Sequence, residues 1–285
     1  MNEPLRVVVH PDARSFLDRA QAWLEDREDE NNIFLAIPAS LLDAPPASTG
    51  EELFFATVER RNSVVGCALR TPPHKPLLTR MPRAAAGPLV EALASRFHEL
   101  PAVLGPEDVA AAVAREWSAR RRVAWYRGMP QRIYRLDAVQ SPKGVPGKLR
   151  VAGDADLALV HRWGSAFAEE LGSTFRTTPE RRAGFVRDGL LHLWEDGVPV
   201  CMAVTVGHTT RGVRVGYVYT PPGARRRGYA SACVASVSQL MLDSGRAFCV
   251  LYTDLTNPTS NAIYQRIGYR PVLDVTDMVF DASGG

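Results

Sequence analysis

The feature that most constrains this chain is a change of hydrophobic period between Val213 and Tyr269. Val213, Val215, Tyr217 and Tyr219 alternate with Arg214, Gly216 and Val218, the two-residue repeat of a strand. Pro221-Pro222-Gly223 ends the alternation, because proline brings no N–H to a ladder and glycine frees a turn. Beyond it Ala230, Val234, Val237 and Met241 recur at steps of four, three and four, which is one face of a helix closed by Ser244-Gly245. Ala247 to Thr253 is short and continuously apolar, a buried strand. Asn257-Pro258 then starts a second helix, asparagine as N-cap and proline in the first turn, with Ile263 and Ile267 on its apolar side and Gly268 at its end.

A helix start that follows a glycine-containing basic turn has a chemical use. Its first amides lack partners and its end carries partial positive charge, so it attracts phosphate. Gly228 and Ala230 leave room for a diphosphate to approach the backbone, and Arg225, Arg226 and Arg227 surround it with positive charge. The same residues also suit a plain strand-to-helix turn with solvated arginines, and Tyr264 also suits a core tyrosine.

Arg225-x-x-Gly228-x-Ala230 fits the Gln/Arg-x-x-Gly-x-Gly/Ala signature of the GCN5-related N-acetyltransferase (GNAT) superfamily. Asn257, Ala262 and Tyr264, followed by Ile267-Gly268-Tyr269, resemble that family's later Asn…Ala…Tyr…Gly-Phe segment. Both patterns occur in order, with the right helix and strand between them, and the resemblance spans roughly the last half of the chain. It implies an α/β (α+β) fold in which the strands at Val213 and Ala247 splay apart. The pantetheine arm of acetyl-CoA lies in such a gap and pairs with exposed backbone as an added strand would.

The implied activity is direct transfer of an acetyl group from acetyl-CoA to a primary amine. The backbone N–H of Val218 or Tyr219 would stabilise the oxyanion. Tyr264 would protonate the leaving thiolate. The implied coenzyme contacts are Tyr217, Val218, Tyr219, Thr220, Arg225, Arg226, Arg227, Gly228, Tyr229, Ala230, Ser231, Asn257, Ser260 and Tyr264. Many members carry a glutamate near the central strand, whereas Val213 to Tyr219 holds no carboxylate. Glu169, Glu170, Glu195, Asp254, or water held by Tyr217 or Tyr219, are the alternatives for a general base, each set against a plain surface role. His161 and His192 read as packing residues.

At 285 residues the chain has room for one large domain or two ordinary ones. Gln140 to Gly147, rich in proline and glycine, reads as a linker between domains at 1–140 and 148–285, with residues 141–147 joining them. The N-terminal half reads helix (Phe16, Ala20, Trp23 and Leu24 behind Asp12), strands at Leu53–Arg60, Val64–Thr71 and Leu77–Met81, and a helix at Pro88–Phe97. A strand at Pro101–Leu104, a helix at Pro106–Arg120 and a strand at Gln131–Leu136 follow. That order parallels the C-terminal half, so two GNAT-like domains are expected, each a mixed, mainly antiparallel twisted sheet flanked by helices. Arg80 to Pro88 contains no Arg-x-x-Gly-x-Gly/Ala, which marks the first copy as degenerate. Glu25 to Glu30 reads as a solvated helix end.

The second half adds a strand at Lys148–Ala152 and a helix capped by Asp154. A short helix at Glu180–Val186 and a hairpin around Glu195-Asp196-Gly197 come next. Trp163 to Glu170 and Phe175 to Phe185 are expected to wall the acceptor pocket, with the N-terminal half as a further candidate wall. No signal peptide is evident and none is expected, no apolar run of about 18 residues occurs, Cys67, Cys201, Cys233 and Cys249 are widely spaced, and the net charge is +3. A cytoplasmic protein is expected, with no metal, membrane or nucleic-acid partner, acting on a small-molecule amine or a peptide as monomer or homodimer. The alternative reading is a non-catalytic acyl-CoA-binding regulatory module.

Overall fold

The structure, a computed structural model, describes residues 3–43, 52–172 and 177–281. Phe175 of the expected acceptor wall lies outside the described residues. The chain begins β1 (Arg6–His10), α1 (Ala13–Glu25), α2 (Glu28–Asp43), β2 (Phe54–Arg60), β3 (Ser63–Arg70) and β4 (Leu77–Leu78). It continues through α3 (Ala86–Ala94), β5 (Ala102–Pro106), α4 (Glu107–Arg121), β6 (Trp125–Leu136), β7 (Lys148–Val151), α5 (Leu157–Leu171) and α6 (Pro179–Arg187). It ends β8 (Leu191–Asp196), β9 (Val198–Val206), β10 (Gly212–Tyr219), α7 (Tyr229–Asp243), β11 (Phe248–Asp254), α8 (Pro258–Ile267) and β12 (Arg270–Phe280). Two compact units result. The first holds the described residues up to Ile133, with Asp254–Thr256 and those from Val272 on; the second holds Tyr134–Thr253 and Asn257–Pro271.

In the first unit β1, β2, β3 and β4 pair antiparallel in sequence order, β4 pairs parallel with β5, and β5 pairs antiparallel with β12. Both faces are covered, so neighbouring residues point into different cores. Phe55 and Leu69 meet Phe16, Leu24 and Phe34 of α1 and α2. Phe54 and Ala68 meet Leu89, Val113 and Trp117 of α3 and α4. That double burial explains the unbroken apolar runs of these strands. Asp12 caps α1, accepting a hydrogen bond from the Ser15 amide at 2.8 Å.

The Glu25–Glu30 run is the expected solvated helix end only in part: α1 ends at Glu25, and Asp26 and Arg27 are exposed. Glu28 is 1% exposed and opens α2. The polar first turn and Pro38 within the helix disguise α2 in the sequence. The strands β1 and β12 also escape the periodicity reading, and β6 starts at Trp125 rather than Gln131.

In the second unit β7, β8, β9 and β10 pair antiparallel and β10 pairs parallel with β11. One face packs Val213, Val215, Cys249 and Leu251 against Ala232, Val234 and Val237 of α7. The other packs Leu193, Met202 and Val204 against Val160 and Trp163 of α5 and Phe185 of α6. Each unit is thus a mixed, mainly antiparallel sheet flanked by helices, the fold class the sequence predicts. Part of the proline- and glycine-rich segment ending at Gly147 is held to its own unit, since Trp194 Nε1 donates to the Pro146 carbonyl at 2.9 Å.

Candidate functional site

The site is built on the two parallel strands of the second unit. Their ladder has three rungs, Gly212–Phe248, Val213–Cys249 and Arg214–Val250, and both strands run on past it without pairing each other. Past the last rung, a Cβ added at Gly216 would meet no atom within 4 Å. A parallel pair that stops pairing leaves unsatisfied backbone groups along its edges.

A bulge shapes the β10 side of that opening. Gly216 pairs with Val204 and Tyr219 with Met202, so three steps on β10 oppose two on β9. Tyr217 takes up the extra residue with φ of 52°, left-handed backbone that costs a bulky residue on the order of 1–3 kcal/mol. The bulge corrects the single alternation expected for this strand. Val213 and Val215 face α7, but Tyr217 and Tyr219 both turn to the α5 and α6 side. There the Tyr217 ring lies 5.4 Å from Phe185 and 6.1 Å from Phe167, and the Tyr219 ring 6.0 Å from Trp163 and 6.4 Å from Phe167. Burial, reinforced by the nearby Glu170 carboxylate, pushes the Tyr219 phenol up. Val218 packs on the α7 side, in the core that Tyr264 also borders.

The turn after β10 is held from within. Arg225 Nε donates to the Thr220 carbonyl at 2.9 Å and its guanidinium pairs with Glu170 of α5 at 2.5 Å. Arg225 is thereby a brace of the turn rather than a free cation. Arg226 is exposed with φ of 62°, and Arg227 is exposed over the Tyr229 ring at 5.0 Å. Gly228 caps α7 with φ of 83°, and a Cβ there would stand 2.9 Å from Val145 Cγ2. Only glycine meets both demands without strain.

The first helical bond runs from the Ala232 amide to the Gly228 carbonyl at 3.0 Å, and Gly228 offers no side-chain cap. Among the described residues the amides of Tyr229, Ala230 and Ser231 therefore have no acceptor. Tyr229 itself is buried, its hydroxyl donating to Asp196 at 2.5 Å. The Thr220 hydroxyl is buried with no hydrogen-bond partner.

Asn257 caps α8, accepting from the Ser260 amide at 3.0 Å, so both residues lie at the helix start. Tyr264 is half-buried, its ring 6.4 Å from Tyr134 and 6.0 Å from Tyr269. Burial pushes its phenol far up, so its proton is retained across the neutral range. Tyr134 supports this helix, donating to Asn261 Oδ1 at 2.9 Å and accepting from Gln265 Nε2 at 3.1 Å. Tyr134 and Val145 are site residues that sequence reasoning missed. The first sits at a strand end with no motif, the second in a segment that reads as spacer.

Every carboxylate considered as a base is already engaged or exposed. Glu170 binds Arg225, Glu195 binds Arg150, Asp254 accepts from the Thr256 amide and hydroxyl, and Glu169 is exposed. His161 Nδ1 lies 3.4 Å from Arg182 Nε. His192 is 2% exposed with neither ring nitrogen bonded. Among the described residues no three His, Cys, Asp or Glu side chains are grouped to hold a metal. No described helix is long and apolar enough to cross a membrane.

A strand pair that opens beside a bulge, followed by a turn that ends on a left-handed glycine and uncapped amides, defines a class of fold. Comparison agrees with that class. The sequence model of the family described as FR47-like protein matches residues 202–277. A Drosophila protein of known structure covers 98% of this chain over 99% of its own, at 15% identity and TM-score 0.68. A GCN5-related N-acetyltransferase from Sphaerobacter thermophilus covers 97% over 96% of its own, at 17% identity and TM-score 0.60. A tandem GNAT protein from the clavulanic acid biosynthesis pathway covers 99% over 100% of its own, at 14% identity and TM-score 0.54. No curated protein matches by sequence. The chain has the fold of the GCN5-related N-acetyltransferases, with a structural counterpart among their tandem members.

Proposed function

We propose that the second unit binds acetyl-CoA and transfers its acetyl group to a primary amine. The observation that carries this reading is the gap between β10 and β11, opening after Arg214 and Val250 and leading to the uncapped amides of Tyr229, Ala230 and Ser231. Those amides suit a diphosphate, and the backbone freed by the bulge at Tyr217 suits an extended amide-bearing arm. The Thr220 hydroxyl, buried without a partner, fits a polar group of such an arm.

Bound acetyl-CoA supplies a thioester, an acyl group already activated toward an amine. The chain's own part is to bind, orient and move protons. The amide of Val218 or Tyr219, turned by the bulge, would donate to the carbonyl oxygen as charge grows on it. Tyr264, protonated at neutral pH, would donate to the departing sulfur. With every candidate carboxylate engaged or exposed, the acceptor amine loses its proton to water near Tyr217 and Tyr219 or arrives uncharged. The same scarcity of a base favours the second reading, a module that holds acyl-CoA without turning it over.

Titration calorimetry with acetyl-CoA, joined to a thiol-release assay over a panel of amines, separates the two. Thiol release that depends on an amine and on Tyr264 supports transfer. Tight binding with no release from any amine leaves the module reading, and no binding at all rejects both.

A further inference from the structure

The first unit contains a cavity of about 530 Å³ that belongs to none of the machinery above. Its wall is the end of α1 and the start of α2, with Val65 of β3, Arg80 and Met81 after β4, and Asp108 and Val109 of α4. That volume lies within the range of roughly 300–1,000 Å³ typical of small-molecule pockets.

The charges lining it are of both signs, and three of the five, Glu30, Arg80 and Asp108, are held in ion pairs. Arg80 Nε donates to Glu30 Oε2 at 2.8 Å, and Asp108 is paired with Arg83 at 3.2 Å. Two groups remain. Asp26 makes no hydrogen bond or ion pair through its side chain among the described residues. Arg27 is 64% exposed and stands 4.0 Å from Glu30, the outer limit of a pair. These sequence neighbours carry opposite charges on the wall of a cavity that is also lined by Trp23, Val65, Met81 and Val109.

We infer that this cavity binds a small zwitterion on an apolar skeleton, the chemistry of a free hydrophobic amino acid. Its ammonium faces Asp26, its carboxylate faces Arg27, and its side chain lies against Trp23 and Met81. A coenzyme diphosphate is the wrong ligand here. Glu107 and Asp108 open α4 and repel phosphate, and the turn from Thr79 to Ala86 contains no glycine.

Calorimetry on the full chain with L-leucine, L-methionine and L-phenylalanine tests the inference against two single-charge analogues of leucine, 3-methylbutylamine and 4-methylpentanoate. The expected result is saturable binding of at least one amino acid, about tenfold or more tighter than either analogue, the contribution of one charge-assisted hydrogen bond. Asp26→Asn should erase the preference over 4-methylpentanoate, and Arg27→Gln the preference over the amine. Binding of acetyl-CoA should stay unchanged in both variants, which keeps this result separate from the fate of the acyl-transfer reading. Absence of binding by all three amino acids, equal binding of the analogues, or unaltered selectivity in both variants would overturn it. The analogue series on the unaltered chain is decisive even where a variant fails to fold.

Discussion

Two passages of this chain run strand, turn, helix beside a parallel neighbour, and they end differently. In the second unit β10 is eight residues long, bulges at Tyr217, and leaves β11 after three rungs, with nothing near a Cβ placed at Gly216. In the first unit β4 is two residues long and meets β5 at a single rung, Leu77–Leu104. There Gly105 is crowded, its missing Cβ falling 2.8 Å from Leu78 Cβ and 2.9 Å from the Leu78 carbonyl. The following residue, Thr79, turns back to β3, its amide donating to the Cys67 carbonyl at 3.0 Å. One glycine faces space and the other admits a neighbouring strand. The turns differ in the same sense. Gly228 enters α7 left-handed with free amides, whereas α3 follows a tight 3₁₀ turn at Arg83–Ala85 and an Ala85 cap of ordinary helical backbone. In this chain the strand pair that opens is the one with a bulge before its turn and a left-handed glycine at the helix start.

The sharpest break in that comparison is Tyr264→Phe, expected to lower kcat by about 10²–10⁴-fold with acetyl-CoA affinity nearly unchanged. Steady-state thiol release and calorimetry read the two quantities, and unaltered turnover would remove Tyr264 from the chemistry. Gly228→Glu comes next. It forces a side chain into left-handed backbone against Val145 and sets a negative charge at the helix start. Loss of two charge-assisted bonds predicts weakening of about 10²-fold in acetyl-CoA affinity; an affinity within about twofold of wild type would move the diphosphate elsewhere. Thr220→Val removes a buried hydroxyl that has no partner. Binding should weaken by up to about tenfold while the melting temperature holds or rises, because an unpaired buried group is costly.

The mirror experiment in the first unit is Gly105→Ala. Overpacking against Leu78 should cost about 1–3 kcal/mol of stability in urea melts and leave coenzyme affinity untouched. The gentlest contrast is between two buried histidines. His10 shares a 3.1 Å hydrogen bond with Thr57, while His192 has none. Burial lowers the pKa of both, so the unfolded chain takes up protons more readily. Stability should therefore fall as the pH drops below about 6.5, the ordinary histidine value, and be flat in this respect above it. His192→Leu should make the loss between pH 7.5 and pH 5 smaller than in wild type. An identical loss would show that His192 titrates normally in the folded chain.

Much of this was legible in one dimension. The α7 and α8 boundaries, the Asn257 and Asp12 caps, Gly268 at the end of α8 with φ of 112° and the hairpin at Gly197 all follow from local rules of propensity and backbone freedom. What escaped was not local. The run Glu25–Glu30 looked solvated because charge is usually outside, yet Glu28 is enclosed. The strand β12 lies at the far end of the chain but pairs with β5 in the first unit, a partnership no periodicity contains. Arg225 reads in the sequence as an unpaired cation, whereas Glu170, fifty-five residues earlier, is paired with it.

Local chemistry alone decided that a glycine turn must feed a helix after Pro222, that Tyr264 lies on a short helix capped by Asn257, and that no glycine cradle follows β4. These are properties of φ, hydrogen-bond donors and side-chain periodicity within a few residues. Tertiary structure alone decided which way Tyr217 and Tyr219 face, which carboxylates are already taken, and that Asp26 and Arg27 meet at a cavity. A one-residue bulge inverts every side chain beyond it, and charge pairing depends on distances between segments that the order of residues does not encode.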